Sequence, residues 1–307
     1  MSARFFKVAG HLFKVSQNFG DEFFAQCMDN YAPFEVRECL QNGMVQTDCL
    51  FTLDVEYCDE FPQYVEEIRQ EEEGQEIICG TIQDKSAFDF RLFGKKVGVL
   101  VCASNYKIAT LFVPKNDSGH LSFAINNALM VLYAIASAPF GTALFHAAVV
   151  SYDGRGYMFL GKSGTGKSTH ARLWLQHNKG SELLNDDNPV VRFFEDGKRT
   201  VVYGSPWSGK TPCYKNLEYP LGGIVLLSQA PYNKILRLRG VMAYAAIVPA
   251  ISGKRWEKCV ADGLHYTENA LASNVPVWHL ECLPDEDAAR VCLNAVTTVA
   301  SNEGIAQ

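Results

Sequence analysis

The run Gly161-Lys162-Ser163-Gly164-Thr165-Gly166-Lys167-Ser168 constrains the fold of this chain more than any other eight residues. It matches the pattern G-x-x-x-x-G-K-[ST]. In that pattern glycines let consecutive backbone N–H groups turn inward around an anion, the lysine reaches terminal phosphates and the hydroxyl serves Mg²⁺. The chemistry also demands a context, with an apolar strand entering the loop and a helix leaving it whose positive dipole end faces the same anion. Both are legible. Residues 157–160 read as a strand, and residues 167–178 read as a helix that Gly180 stops. The expected ligands are ATP and Mg²⁺. The expected nucleotide contacts come from Gly161, Ser163, Gly164, Thr165, Gly166, Lys167, Ser168 and the following Thr169.

Asp186 and Asp187 lie 19 and 20 residues beyond Lys167. A helix of about three turns and one short strand fill that interval, which returns the chain beside the loop with two carboxylates at a strand end. One carboxylate can hold the metal, and the other can take a proton from an incoming hydroxyl. Spacing alone leaves open which does which. Upstream, residues 147–151 read as a strand joined to residues 157–160 by the turn Asp153-Gly154-Arg155-Gly156, and His146 stands at the end of that hairpin.

Ahead of this region the pattern is different. Five short runs rich in Val, Ile, Phe and Tyr, at residues 51–57, 76–82, 87–93, 96–102 and 107–113, predict an antiparallel meander. Residues 61–70 with Glu71-Glu72-Glu73 predict a short helix end or a solvated loop. Asn116-Asp117-Ser118-Gly119 marks the expected boundary, giving a β-rich first domain over 1–118 and a catalytic domain over 119–307, with a buried helix near 122–136 opening the second. Beyond the Asp pair, a hairpin around Asp196-Gly197 is expected. Strands are expected near 223–227, 235–238 and 277–282, and helices near 240–248, 255–272 and 285–300.

Composition narrows the partners. The chain has 307 residues, a net charge of −6 and no basic run, so nucleic acid is not an expected partner. The longest uninterrupted apolar stretch, residues 128–136, falls short of the ~20 residues that cross a bilayer, and behind Arg4 and Lys7 the residues His11 and Lys14 interrupt any leader-like apolar segment, so no signal peptide is expected. No membrane partner is expected. The ten cysteines contain no C-x-x-C pair and several sit in apolar runs. They read as buried thiols of a cytoplasmic protein. Assembly into a homo-oligomer stays open.

Taken together, the His146 hairpin, the 161–168 loop and the Asp186-Asp187 pair close behind it resemble the catalytic domain of the bacterial HPr kinase/phosphorylase family. That family is more distantly similar to ATP-dependent phosphoenolpyruvate carboxykinases. The resemblance covers about residues 140–300. It implies a mixed α/β (α+β) P-loop core with a mixed sheet, preceded here by the β-rich domain. It also implies a kinase acting on a serine-type hydroxyl of a protein, peptide or small molecule. Carried over, it makes Asp186 the base, puts His146 near the terminal phosphate and the base, and gives Ser168 and Asp187 to the metal, with Lys167 on the transferred phosphate. Thr169 departs from the family, which has an acidic residue there, and is more like the carboxykinases. No copy of the family's later phosphorolysis signature is found.

The loop Gly204-Ser205-Pro206-Trp207-Ser208-Gly209-Lys210 supplies candidate substrate contacts in Gly204, Trp207 and Lys210. Its glycines permit close approach and its lysine can neutralise a phosphate. The competing reading is a turn anchored by Trp207. Two rival functions remain. One is a small-metabolite kinase with the ordinary parallel sheet, which would place a parallel neighbour where the 147–151 hairpin partner is expected. The other is a non-catalytic nucleotide-binding regulator.

Overall fold

The computed structural model describes residues 2–20, 22–37, 49–115, 118–209 and 211–303. The chain divides into two units, 1–137 and 138–307. The expected boundary residues Asn116 and Asp117, together with Cys39 and Lys210, lie outside the described residues.

The first unit is built on an eight-stranded sheet. Its strands are β1 (Ser2–Val8), β2 (His11–Gln17), β3 (Thr52–Cys58), β4 (Val65–Glu72), β5 (Gln75–Ile82), β6 (Lys85–Leu92), β7 (Lys95–Cys102) and β8 (Ile108–Pro114), in the order β1-β2-β3-β8-β7-β6-β5-β4. The expected meander is present from β4 to β8, each strand antiparallel to the next. The β2–β3 and β3–β8 pairs are parallel, which makes the sheet mixed.

Two expectations are corrected here. The acidic segment is strand β4, paired along its length with β5 and exposed throughout. A charge run does not exclude an edge strand, because both of its faces can point to water. The second correction concerns the helix α2 (Leu121–Ser137). It packs on β6, β7 and β8 through residues such as Ala124, Ala128 and Leu132 and belongs to the first unit. With the 3-10 turn that follows, it forms the 20-residue apolar stretch Leu121–Phe140, which by length and composition alone is able to cross a membrane. Counting only the uninterrupted run understated it. Most of that stretch is buried inside the protein.

The second unit holds β9 (Thr142–Phe145), β10 (Ala147–Tyr152), β11 (Arg155–Leu160), α3 (Lys167–His177), β12 (Glu182–Asp187), β13 (Val190–Phe194) and β14 (Arg199–Tyr203). After these come β15 (Glu218–Gln229), β16 (Lys234–Leu238), α4 (Val241–Ile247), β17 (Ile251–Ser252), α5 (Lys258–Asn274), β18 (Val277–Cys282) and α6 (Glu286–Glu303). The path through the sheet is β12-β10-β11-β15-β14-β13-β9-β17, with β18 beside β15 and β16 beside β18. The long strand β15 joins two regions. Its first residues pair with β14, while its later ones lie between β11 and β18 in parallel with both.

The alternation of strand side chains explains the core. Ala148 and Val150, Tyr157 and Phe159, Val225 and Leu227, and Trp278 and Leu280 occupy one face and pack with Ala171 and Trp174 of α3 and with Ala289, Cys292 and Val296 of α6. The intervening Val149, Met158 and Ile224 are buried as well. These central strands therefore read as continuous apolar runs, as strands covered on both faces do. Burial raises the thiol pKa of Cys27, Cys213 and Cys292. Cys259 departs from the buried pattern and is exposed.

Candidate functional site

The turn between β10 and β11 has Asp153 at φ 48° and Gly154 at φ 71°, the two-residue left-handed turn of a tight hairpin. The hairpin therefore forms as the sequence predicts, with Ala148 opposite Phe159 and Tyr152 opposite Arg155. Strand β11 also has β15 on its other side, running parallel. The parallel neighbour is thus additional to the hairpin partner and does not replace it.

The chain leaves β11 at Leu160, turns through residues 161–166 and enters α3 at Lys167. Two glycines meet a conformational demand. Gly164 at φ 77° and Gly166 at φ 107°, the latter at the N-cap of α3, occupy backbone states that cost other residues about 1–2 kcal/mol. Ser163, Gly164 and Ser168 are exposed, while Gly161, Thr165, Gly166, Lys167 and Thr169 are half-buried. The Thr165 N–H is already engaged by the Lys162 carbonyl at 3.1 Å. The Lys167 ammonium donates to the Gly161 carbonyl at 3.0 Å, so the charge lies over the loop itself. Thr169 Oγ1 accepts from Arg172 at 3.3 Å. Behind the loop, the His170 side chain is buried against Phe159, and its backbone N–H donates to the Gly166 carbonyl at 2.8 Å. Its Nε2 accepts from the Trp174 indole at 3.2 Å, which puts the proton on Nδ1, where no partner is found among the described residues. Burial holds its pKa down at about 4.

The Asp pair reaches the same end of the sheet. β12 runs antiparallel to β10, with Asp186 opposite Ala148 and Asp187 opposite Ala147. Ala148 is in turn opposite Phe159. The backbone of the Asp pair and the end of β11 that enters the loop thus stand level, two strand spacings apart, or roughly 10 Å. His146 immediately precedes β10 and is held by its N–H to the Ala250 carbonyl at 2.7 Å. Its Nδ1 lies 3.3 Å from Asp187 Oδ1, and both side chains are open to solvent, at 40% and 33% exposed. Asp187 Oδ2 accepts from Asn188 Nδ2 at 2.7 Å. Asp186 is buried, at 6% exposed. The histidine therefore contacts Asp187, the residue that the resemblance gives to the metal. Among the described residues, no group of three or more His, Cys, Asp and Glu is arranged to hold a metal by itself. The hydroxyl of Ser168 and the carboxylate of Asp187 are hard oxygen donors of the kind Mg²⁺ takes one or two at a time, completing its shell with water and phosphate.

The 204–209 segment sits differently from its expected role. Its glycines serve close packing within the protein. A Cβ on Gly204 would fall 2.0 Å from the Lys215 carbonyl oxygen, and one on Gly209 would fall 2.7 Å from that of Asp186. Trp207 is buried, at 4% exposed, so it is an anchor. The segment still adjoins the candidate site, because the Gly209 N–H donates to Asp186 O at 2.9 Å and Ser208 bridges to Asp187. Arg237 lies 4.6 Å over the Trp278 ring on the outer strands. Three residues passed over in the sequence also gather here, namely Asn185, Asn188 and Ser205. The sequence signal for Asn185 and Asn188 is adjacency to an Asp pair, where asparagine reads as turn chemistry, and that for Ser205 is its place in the glycine-containing 204–210 loop.

No protein-family model matches the chain, and no curated protein matches it. Among solved structures it is similar to the Hpr(Ser) kinase/phosphatase from Coxiella burnetii, at 14% identity and a TM-score of 0.30, over 52% of this chain and 95% of that one. A likeness at that level carries no weight for function, and the reading below rests on this chain's own residues.

Proposed function

We propose that the second unit is an ATP- and Mg²⁺-dependent kinase that transfers a phosphoryl group to a hydroxyl on a protein, a peptide or a small molecule. One observation carries this reading: the loop over 161–168 and the Asp186-Asp187 pair lie at the C-terminal ends of β11 and β12, at one end of the sheet, with His146 against Asp187. The loop amides and the N-terminus of α3 receive the phosphates. Lys167 needs only to swing from its own loop carbonyls to place its charge on the terminal phosphate. Asp186 takes the proton of the acceptor hydroxyl as that oxygen bonds to phosphorus and ADP leaves. Ser168 and Asp187 hold the metal, which neutralises phosphate charge. His146 and Asn188 orient the Asp187 carboxylate, each on one oxygen.

The antiparallel hairpin partner of β11 favours this reading over a small-metabolite kinase built on a wholly parallel sheet. The acceptor is tested with labelled ATP and Mg²⁺ against a cell lysate separated into protein, peptide and small-molecule fractions. Label is expected in one fraction with the wild type and in none with Lys167→Ala. Tight ATP binding with no labelled product in any fraction would make the protein a nucleotide-binding regulator instead.

A further inference from the structure

We infer that Asn185 is the positioning residue of this site, clamping the end of β12 to the turn at residues 205–207. The inference rests on the phosphotransfer reading above. The Asn185 side chain is fully buried, at 0% exposed. A buried primary amide has two N–H donors and a carbonyl with two lone pairs, and each one left unmet costs about 1–3 kcal/mol. Here all four are met. Oδ1 accepts from the backbone N–H groups of Asp187 at 3.1 Å and Asn188 at 2.9 Å. Nδ2 donates to Ser205 Oγ and to the Trp207 carbonyl, both at 3.1 Å. Ser205, also at 0% exposed, closes the ring by donating to the Asn188 carbonyl at 2.6 Å and accepting from the Trp207 N–H at 3.2 Å.

No other side chain satisfies that set. Aspartate lacks the two donors, leucine lacks everything polar, and glutamine is one methylene too long for a space with no exposure. The consequence falls on Asp187. With its own N–H and that of Asn188 fixed, its carboxylate is presented between Asn188 Nδ2 and His146 Nδ1. Asn185 therefore acts through the backbone of its neighbours and touches no reacting atom. A displacement of about 1 Å in a reacting group is enough to cost about 100-fold in rate.

The test combines amide hydrogen exchange, turnover of ATP to ADP with Mg²⁺, and binding of a fluorescent ATP analogue. It uses the full chain and its Asn185→Ala, Ser205→Ala and double variants. Asn185→Ala is expected to speed exchange at Asp187, Asn188 and Trp207 while β10 and β11 stay protected. It lowers kcat about 100-fold and leaves the analogue Kd within about threefold. Ser205→Ala shifts the same readouts less, and the double variant is no worse than Asn185→Ala, because both act through one network. Unchanged exchange at residues 187–188 overturns the inference, as does faster exchange there with unchanged kcat. Loss of analogue binding in step with kcat also overturns it, since that marks a general structural role. If Asn185→Ala does not fold, Ser205→Ala decides the matter by the same readouts. A wild type that neither binds the analogue nor turns over ATP sinks the phosphotransfer reading, and exchange then decides the clamp alone.

Discussion

Two glycine-containing loops lie beside the Asp pair or level with it, and they use glycine for opposite reasons. In the 161–168 loop, Gly164 and Gly166 have left-handed backbones and no neighbour closer than 4.0 Å to an added Cβ. Glycine at those two positions supplies conformation and has open space around it, while Gly161 at the start of the loop is packed, with an added Cβ falling 3.1 Å from the Thr165 side chain. In the 204–209 loop, Gly204 and Gly209 are pressed against carbonyl oxygens. Glycine there supplies thinness, and the space is already filled by the protein. The lesson is that glycine content alone does not signal a ligand site. What distinguishes the 161–168 loop is glycine of unusual φ beside open space at Gly164 and Gly166, at the mouth of a strand-to-helix turn.

The largest effect is expected at the buried loop. Gly204→Ala forces a methyl into the Lys215 carbonyl and is expected to cost about 3 kcal/mol or more, a fall of roughly 10 °C in the melting temperature of this unit. A thermal melt that moves by less than a degree would show that the loop is not packed as described.

The next largest effect lies beneath the exposed loop. The His170 pKa is depressed by burial from 6.5 to about 4, so the unfolded chain binds the extra proton between those values. Stability is therefore fully present above pH 6.5 and is lost as pH falls toward 4, by about 3 kcal/mol at most. Urea titrations across that window should show the slope in the wild type, and His170→Gln should flatten it.

The smallest effect on folding is expected at Gly164→Ala. The added methyl meets nothing, and only the φ of 77° is penalised, by about 1 kcal/mol. Nucleotide affinity should nonetheless weaken, by about fivefold at most, to the extent that the free loop relaxes out of the strained conformation and must re-adopt it on binding. Equal damage to folding from Gly164→Ala and Gly204→Ala, measured side by side, would erase the distinction between the loops.

Much of the site was legible because its signals are local. The loop pattern, the helix behind it and the Asp153-Gly154 turn each specify structure over a few residues, and all three formed where the sequence placed them. The return of Asp186 and Asp187 to the same end of the sheet followed from counting residues through one helix and one strand. The contact between His146 and Asp187 was harder to foresee, since it depends on β12 choosing β10 as its neighbour, 41 residues away in the chain. Asn185 was invisible, because two of its four hydrogen bonds are ordinary local turn bonds and the other two exist only once a segment about 20 residues away is packed against it. The edge strand β4 was missed because its carboxylates carry no hydrophobic period, and its pairing is set by the Glu73-Gly74 turn, with both residues at positive φ, and by the apolar strand it follows into.

The proposed kinase chemistry stands or falls on whether binding and transfer separate at Asp186. Nucleotide binding by calorimetry and phosphoryl transfer from labelled ATP, measured together on Asp186→Ala, give the most direct answer. The variant should bind ATP-Mg²⁺ as the wild type does and transfer nothing. Transfer at the wild-type rate would contradict the role given to Asp186, and with it the kinase chemistry assigned to this end of the sheet.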